Sequence, residues 1–184
     1  LILMPIQIVF LELIIDPACS VVFEAEKEEP GIMQQPPRKP ADHILDRSTV
    51  SIALAQGFVV FGIVLALYLY GMMQGLGEDK IRTISFVTIV VANIALICTN
   101  RSWSESIIAT FRKPNKAFWG VIGGTIFFLI AAITIPALIQ LFQFATLSPA
   151  EFMLCLIGGI VSVVWFELFK VIRAPKNHPA SAGW

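Results

Sequence analysis

The chain has 184 residues, 57% of them hydrophobic and only 14% charged, with a mean hydropathy of +0.79. Soluble domains carry about 25% charged residues, so this composition excludes an ordinary soluble domain and is that of a membrane protein. Acidic and basic side chains balance at zero net charge, which leaves no electrostatic footprint for nucleic acid as a partner.

In chain order, five stretches approach or exceed the roughly 20 apolar residues that cross a bilayer core. They are Leu1–Phe23, Val50–Met73, Thr83–Cys98, Ala117–Phe142 and Phe152–Val171. The expectation is an all-α membrane protein: one transmembrane domain over 1–184, five helices in a bundle, with the lipid bilayer as solvent. The chain opens on Leu1 without a charged leader, so it reads as a fragment of a longer polypeptide rather than as a signal peptide.

The first stretch holds the most informative residues. Glu12 and Asp16 lie four apart inside an apolar run, and on a helix such positions share a face. Pro17 follows at once; it has no N–H, so the Leu13 carbonyl loses its usual partner and the helix is expected to break. Two carboxylates and a freed carbonyl at one depth are the oxygen donors a hard cation takes, and broken helices at membrane depth are where transporters hold ions. A solvated face of a soluble amphipathic helix is the plainer reading, but Ile6–Leu11 and Leu13–Ile15 are apolar all round. An ionisable side chain in a span costs roughly 2.5–3.5 kcal/mol on insertion scales, and two so close together call for a purpose.

Residues 24–48 carry Glu24, Glu26, Glu28 and Glu29, then Pro30, Pro36, Pro37 and Pro40, as expected of an exposed, extended, proline-rich connection. Arg101, Arg112, Lys113 and Lys116 follow the third span, and Lys170, Arg173 and Lys176 follow the last. Basic residues thus collect on alternate connections, which by the positive-inside rule puts the N-terminus outside and the 24–48 loop and the C-terminus in the cytoplasm. Lys80 and Arg82 dissent mildly, balanced by Glu78 and Asp79.

Several single residues carry local expectations. Pro136 predicts a kink in the fourth span. Ser148, Pro149 and Glu151 form a capping box that starts the last helix. Gly120, Gly123, Gly124, Gly158 and Gly159 offer small surfaces for close helix packing. Gln56 and Asn93 are lone polar residues in spans, suited to interhelical hydrogen bonds or to an ion path. Glu167 and Lys170 are spaced as an i,i+3 pair. His43 and His178 lack a second ligand at metal spacing, and Cys19, Cys98 and Cys155 suggest no disulfide framework.

These residues carry a resemblance. Pro5-Ile6-Gln7 leading into Glu12-Leu13-Ile14-Ile15-Asp16, then Glu28-Glu29-Pro30-Gly31-Ile32-Met33 and Pro36-Pro37-Arg38, resemble the C-terminal membrane domain of type II P-type cation-transporting ATPases. The match begins at the sixth transmembrane helix; Leu147-Ser148 and Glu167-Leu168-Phe169-Lys170 resemble the start and end of the tenth. The likeness is specific over the first 40 residues and mainly topological from Val50 to Phe142. It implies that Asp16 falls on the ion-ligating aspartate of the sixth helix. Glu12 falls one turn earlier, where reticulum-type calcium pumps have Asn and sodium/potassium pumps an acidic residue. Ile15 stands where the family has a ligating Thr and Pro17 where it has Gly. Val90 replaces the eighth-helix glutamate of calcium pumps, with Asn93 a nearby polar candidate. The metal-ligating set implied is Glu12 and Asp16, with Asn93 a further candidate, for a transported cation of the Ca²⁺, Na⁺/K⁺ or H⁺ kind, calcium first. Asp16-Pro17-Ala18-Cys19 also bears comparison with the Cys-Pro-Cys of heavy-metal pumps, but has one cysteine.

The chain has no Asp-Lys-Thr-Gly phosphorylation motif, no Thr-Gly-Glu loop and no phosphate-binding glycine run, the positioning groups phosphoryl transfer needs. It therefore implies no catalytic residue and no cofactor of its own; ATP and Mg²⁺ are implied for the full-length pump, together with an N-terminal part holding five further helices and the cytoplasmic domains. The cell membrane is the expected location. The alternative is a stand-alone truncated membrane protein that binds or regulates a partner. A secondary transporter would need internal repeats, and the halves show no self-similarity.

Overall fold

Backbone in hydrocarbon must satisfy its own N–H and C=O groups, and an α-helix does so within one segment. The computed structural model describes residues 3–26, 47–101 and 115–173, without the side chains at 14, 16–19, 48 and 171–173. Among the described residues there are six helices and no strand: α1 Pro5–Glu24, α2 Arg47–Met73, α3 Glu78–Asn100, α4 Lys116–Thr134, α5 Pro136–Phe142 and α6 Pro149–Arg173. Of these, α2, α3, α4 and α6 are long and apolar enough to cross a bilayer. The 20 residues of α1 reach about 30 Å, with Glu12 and Asp16 inside the apolar run. The proline-rich connection lies outside the described residues except at its ends, as do His43, His178, Arg112 and Lys113.

The local signals act as chemistry dictates, with two exceptions. Pro136 drives Ile135 out of the helical region to φ −78°, ψ 119°, so the fourth apolar run is two helices, α4 and α5, rather than one kinked span. The Ser148 N–H donates to Glu151 Oε2 at 2.7 Å, and the Glu151 N–H to Ser148 Oγ at 3.3 Å, completing the capping box of α6. Glu78 and Asp79 favour a helix N-terminus and start α3 ahead of its apolar run. Pro17 is the first exception: the backbone stays helical through it to Glu24, and the expected break does not occur. One bond, to the Leu13 carbonyl, is lost, while the following turn is anchored by fully buried Val22. The second exception is Gly120, Gly123 and Gly124, where an added Cβ meets nothing within 4 Å; among the described residues they pack against no helix.

Helix α3 is the most buried of the four long apolar helices and α2 the most exposed. It packs most extensively on α6, and glycine is the reason. A Cβ on Gly159 would sit 2.4 Å from Val91 Cγ1 and 3.0 Å from the Ala92 backbone nitrogen of α3, while one on Gly158 would sit 3.0 Å from Leu67 of α2. Buried Thr83, Ser85 and Thr88 satisfy their hydroxyls on carbonyls four residues back, at 2.7, 3.0 and 2.8 Å. At the α1 side of α3, Phe10, Phe86, Phe142 and Phe144 interlock, with ring centroids 4.8–6.1 Å apart.

Two outcomes check this packing. Gly159→Ala is expected to destabilise the chain by about 1–3 kcal/mol by overpacking, read as a lower midpoint in detergent unfolding, whereas Gly57→Ala, whose Cβ meets nothing, keeps the midpoint or raises it through the better helix propensity of Ala. Ser148→Ala is expected to cost about 1 kcal/mol through the lost cap, measured the same way.

Candidate cation site

Helix α1 is fastened along one side and at both ends. At its start the Gln7 side chain, fully buried, accepts the Met4 N–H at 2.9 Å and donates to the Phe142 carbonyl of α5 at 2.6 Å. Leu11 and Val22 continue the buried side, against α3 and α4. The other side is bare: Val9 is 66% and Leu13 70% exposed, and Glu12 is exposed beside them. Position 16 follows one turn later on the same continuous helix; the Asp16 side chain lies outside the described residues.

Asn93 of α3 approaches the same stretch from the buried side. Together with Leu11, Ile15 and Val90, and with Thr125 of α4, it lines a cavity of about 20 Å³, room for one water. The wall of that cavity is apolar, and Asn93 and Thr125 stand in it beside Leu11 and Ile15, the immediate neighbours of Glu12 and Asp16. Thr125 had gone unread; the signal for it is a lone hydroxyl in the otherwise apolar run 121–133. Among the described residues no group of three His, Cys, Asp or Glu side chains converges.

The end of the bundle where α1 and α3 finish is densely polar. Arg101 forks onto Glu26, Nε to Oε2 at 2.7 Å and Nη2 to Oε1 at 3.1 Å, and lies 4.1 Å over the Phe118 ring. Asn115 donates to the same Glu26 Oε2 at 3.0 Å and to the Val22 carbonyl at 3.3 Å, while its Oδ1 caps α4 by accepting the Phe118 N–H at 2.9 Å. Nearby, Lys170 bonds Glu167 at 2.9 Å and also donates to the Thr99 carbonyl, and Thr99 donates to Glu167. Gln56 and Asn100 exchange hydrogen bonds at 3.1 and 3.3 Å, so Gln56 joins α2 to α3. At the opposite end Arg82 bonds Asp79 at 2.7 Å and the Gln143 carbonyl at 3.3 Å, and Lys80 pairs with Glu151 at 2.8 Å. Cys98 and Cys155 are buried free thiols. The Glu167–Lys170 spacing was legible as a pair, but Arg101 and Glu26 read only as loop charges. Their shared signal was opposite sign just past the ends of two apolar runs.

The chain matches the family described as "Cation transporting ATPase, C-terminus" over residues 1–172. Calcium-transporting ATPase 1 of Yarrowia lipolytica is 24% identical over 184 residues, 96% of this chain and 19% of that protein. Calcium-transporting ATPase of Bacillus subtilis is 24% identical over 176 residues, covering 95% and 19%. Calcium-transporting ATPase type 2C member 1 of Mus musculus is 22% identical over 178 residues, covering 96% and 19%. The chain therefore spans 19% of the length of these curated relatives. A match across residues 1–172 joins the all-helical apolar bundle and the likeness of its first 40 residues to type II P-type pumps: the chain is a multi-pass membrane protein and belongs to the family of cation-transporting ATPase C-terminal domains.

Proposed function

We propose that the chain is the membrane-embedded part of an ATP-driven P-type cation pump, that Ca²⁺ is its cargo, and that Glu12 and Asp16, with Asn93 at the flank, bind the ion near mid-membrane. The observation that carries this reading is the bare side of α1. Glu12 and Asp16 stand near the middle of a helix about 30 Å long, Glu12 on the side that none of the described helices covers. A carboxylate at that depth is too costly to leave facing lipid. That side packs against helices of a preceding part of the pump, and the ion sits between.

Ca²⁺ takes six to eight oxygens, more than these residues hold, so the remaining ligands come from those helices. The carboxylates and the Leu13 carbonyl left without its donor by Pro17 are hard donors suited to such an ion. The relatives' names, all calcium-transporting ATPases, favour calcium over sodium or potassium. ATP and Mg²⁺ act on the preceding part, since this chain lacks the phosphorylation motif. Phosphorylation there moves α1 and opens the site to alternate sides, while α2–α6 serve as scaffold. The end bearing Glu26, Arg101 and Lys170 faces the cytoplasm.

The test is ion-stimulated ATPase activity of the full-length pump across Ca²⁺, Mn²⁺, Mg²⁺, Na⁺ and K⁺, with Glu12→Gln and Asp16→Asn beside it. Stripping one charged partner from a buried pair costs roughly 3–5 kcal/mol, so Asp16→Asn is expected to weaken Ca²⁺ activation about 100-fold or more. Unchanged Ca²⁺ dependence in both variants would mean that the ion binds elsewhere.

A further inference from the structure

We infer that the buried Glu26–Arg101–Asn115 cluster is a positioning device for the cation-binding helix, setting the depth and rotation at which α1 presents positions 12 and 16. The inference rests on the reading of α1 given under the proposed function and adds residues beyond the ligands to it.

Three helix ends meet in this cluster. Glu26 lies just past the C-terminus of α1, Arg101 is the C-cap residue of α3, and Asn115 is the N-cap of α4. The Arg101 side chain is 1% exposed and that of Glu26 14%. A buried ion pair adds little net stability over an apolar replacement. A forked Arg–carboxylate contact does hold one distance and one angle. Here the fork is held twice more, by Asn115 on the same Glu26 oxygen and by the Phe118 ring under the guanidinium. Asn115 also takes hold of α1 itself through the Val22 carbonyl. Because α1 runs unbroken through Pro17, it turns as one body. Each residue of a helix is rotated about 100° from the last, so whatever fixes Val22 about the axis also fixes the side on which positions 12 and 16 fall. At the far end, Gln7 supplies only neutral amide bonds.

The bundle contains its own control. Thr99, Glu167 and Lys170 form a second buried ionic cluster at the same end, with Lys170 6% exposed. Its bonds among Thr99, Glu167 and Lys170 tie α3 to α6, and none of them is made to the described side chains of α1. If burial of charge mattered only for folding, the two clusters would behave alike.

The experiment is Ca²⁺-activated ATPase of the full-length pump, giving half-activating Ca²⁺ and maximal turnover separately, with detergent unfolding of each variant. Arg101→Gln is expected to raise half-activating Ca²⁺ by at least about tenfold, the scale of a lost charged hydrogen bond, with most of the maximal turnover retained. Arg101→Lys, which keeps the charge and loses the fork, shifts it in the same direction by less and serves if Arg101→Gln does not fold. Glu26→Gln combined with Arg101→Gln gives less than the sum of the two single shifts, because the two variants share the forked contact. Lys170→Met lowers the unfolding midpoint and leaves half-activating Ca²⁺ in place. Both Arg101 variants losing stability with half-activating Ca²⁺ unmoved, as in Lys170→Met, would overturn the inference. Asp16→Asn run alongside separates this result from the site itself: Ca²⁺ dependence lost there but unmoved in Arg101→Lys refutes the positioning device alone. Ca²⁺ dependence surviving in Asp16→Asn refutes the ligand reading and, with it, the positioning device, whatever Arg101→Lys shows.

Discussion

The last four carbonyls of any helix have no partner within it, and hydrocarbon offers no water to replace one. Much of this bundle follows from how those carbonyls are met. The Phe142 carbonyl of α5 takes the Gln7 amide, the Thr99 carbonyl of α3 takes the Lys170 ammonium, and the Val22 carbonyl of α1 takes Asn115. Just beyond α5, the Gln143 carbonyl takes Arg82. Each donor comes from a different helix than its acceptor, so closing a helix end also decides which helices are neighbours and in what register. Lys170 gains further because a cation at a helix C-terminus meets the negative end of the dipole.

Between the two polar levels the helices are held by shape. Hydrophobic attraction between spans is weak when lipid is as apolar as leucine, so close packing and small residues carry the contact. Gly159 brings α6 onto the backbone of α3 and Gly158 lets the Ile63 and Leu67 side chains of α2 close in, and α3, enclosed on most sides, turns its hydroxyls onto its own carbonyls. Helices α2 and α4 keep large side chains outward, Phe58 and Phe127 among them, which in a bilayer carries no penalty. The Gln56–Asn100 pair then anchors α2 at one end, and at the other Ile81 packs so close to Gly71 that a Cβ there would lie 3.0 Å from it.

Helix α1 stands apart because its two sides differ in kind. One is apolar and locked into the phenylalanine cluster and the Val22–Phe118 contact; the other carries a carboxylate and is uncovered by the described helices. A rigid back and an uncompensated front suit a helix that presents ligands to something beyond this chain. In the reading proposed above, the Arg101 fork gives that presentation a fixed angle.

Much of the fold was legible in the residues. Apolar runs long enough to span, the Ser148 capping box and the Glu167–Lys170 pair all obey rules acting within a few residues, so order along the chain was sufficient to read them; at Pro136 a disturbance was readable, although as a kink and not as the division into two helices. Gln56 was legible as an interhelical donor because an amide in hydrocarbon must find a partner, although its partner was not. What only the tertiary structure decided lies at long range. Pro17 stays inside α1 because packing at Val22 outweighs one missing bond; Gly158 and Gly159 are used while Gly120, Gly123 and Gly124 are open; Arg101 reaches Glu26 across 75 positions and Gln7 reaches Phe142 across 135. Thr125 and Asn93 share a cavity for the same reason. The sequence alone determined that helices form and where their ends and charges lie, because those are matters of local backbone chemistry. Which helix faces which, and therefore which charges meet, is settled only when the packed helices choose a common arrangement.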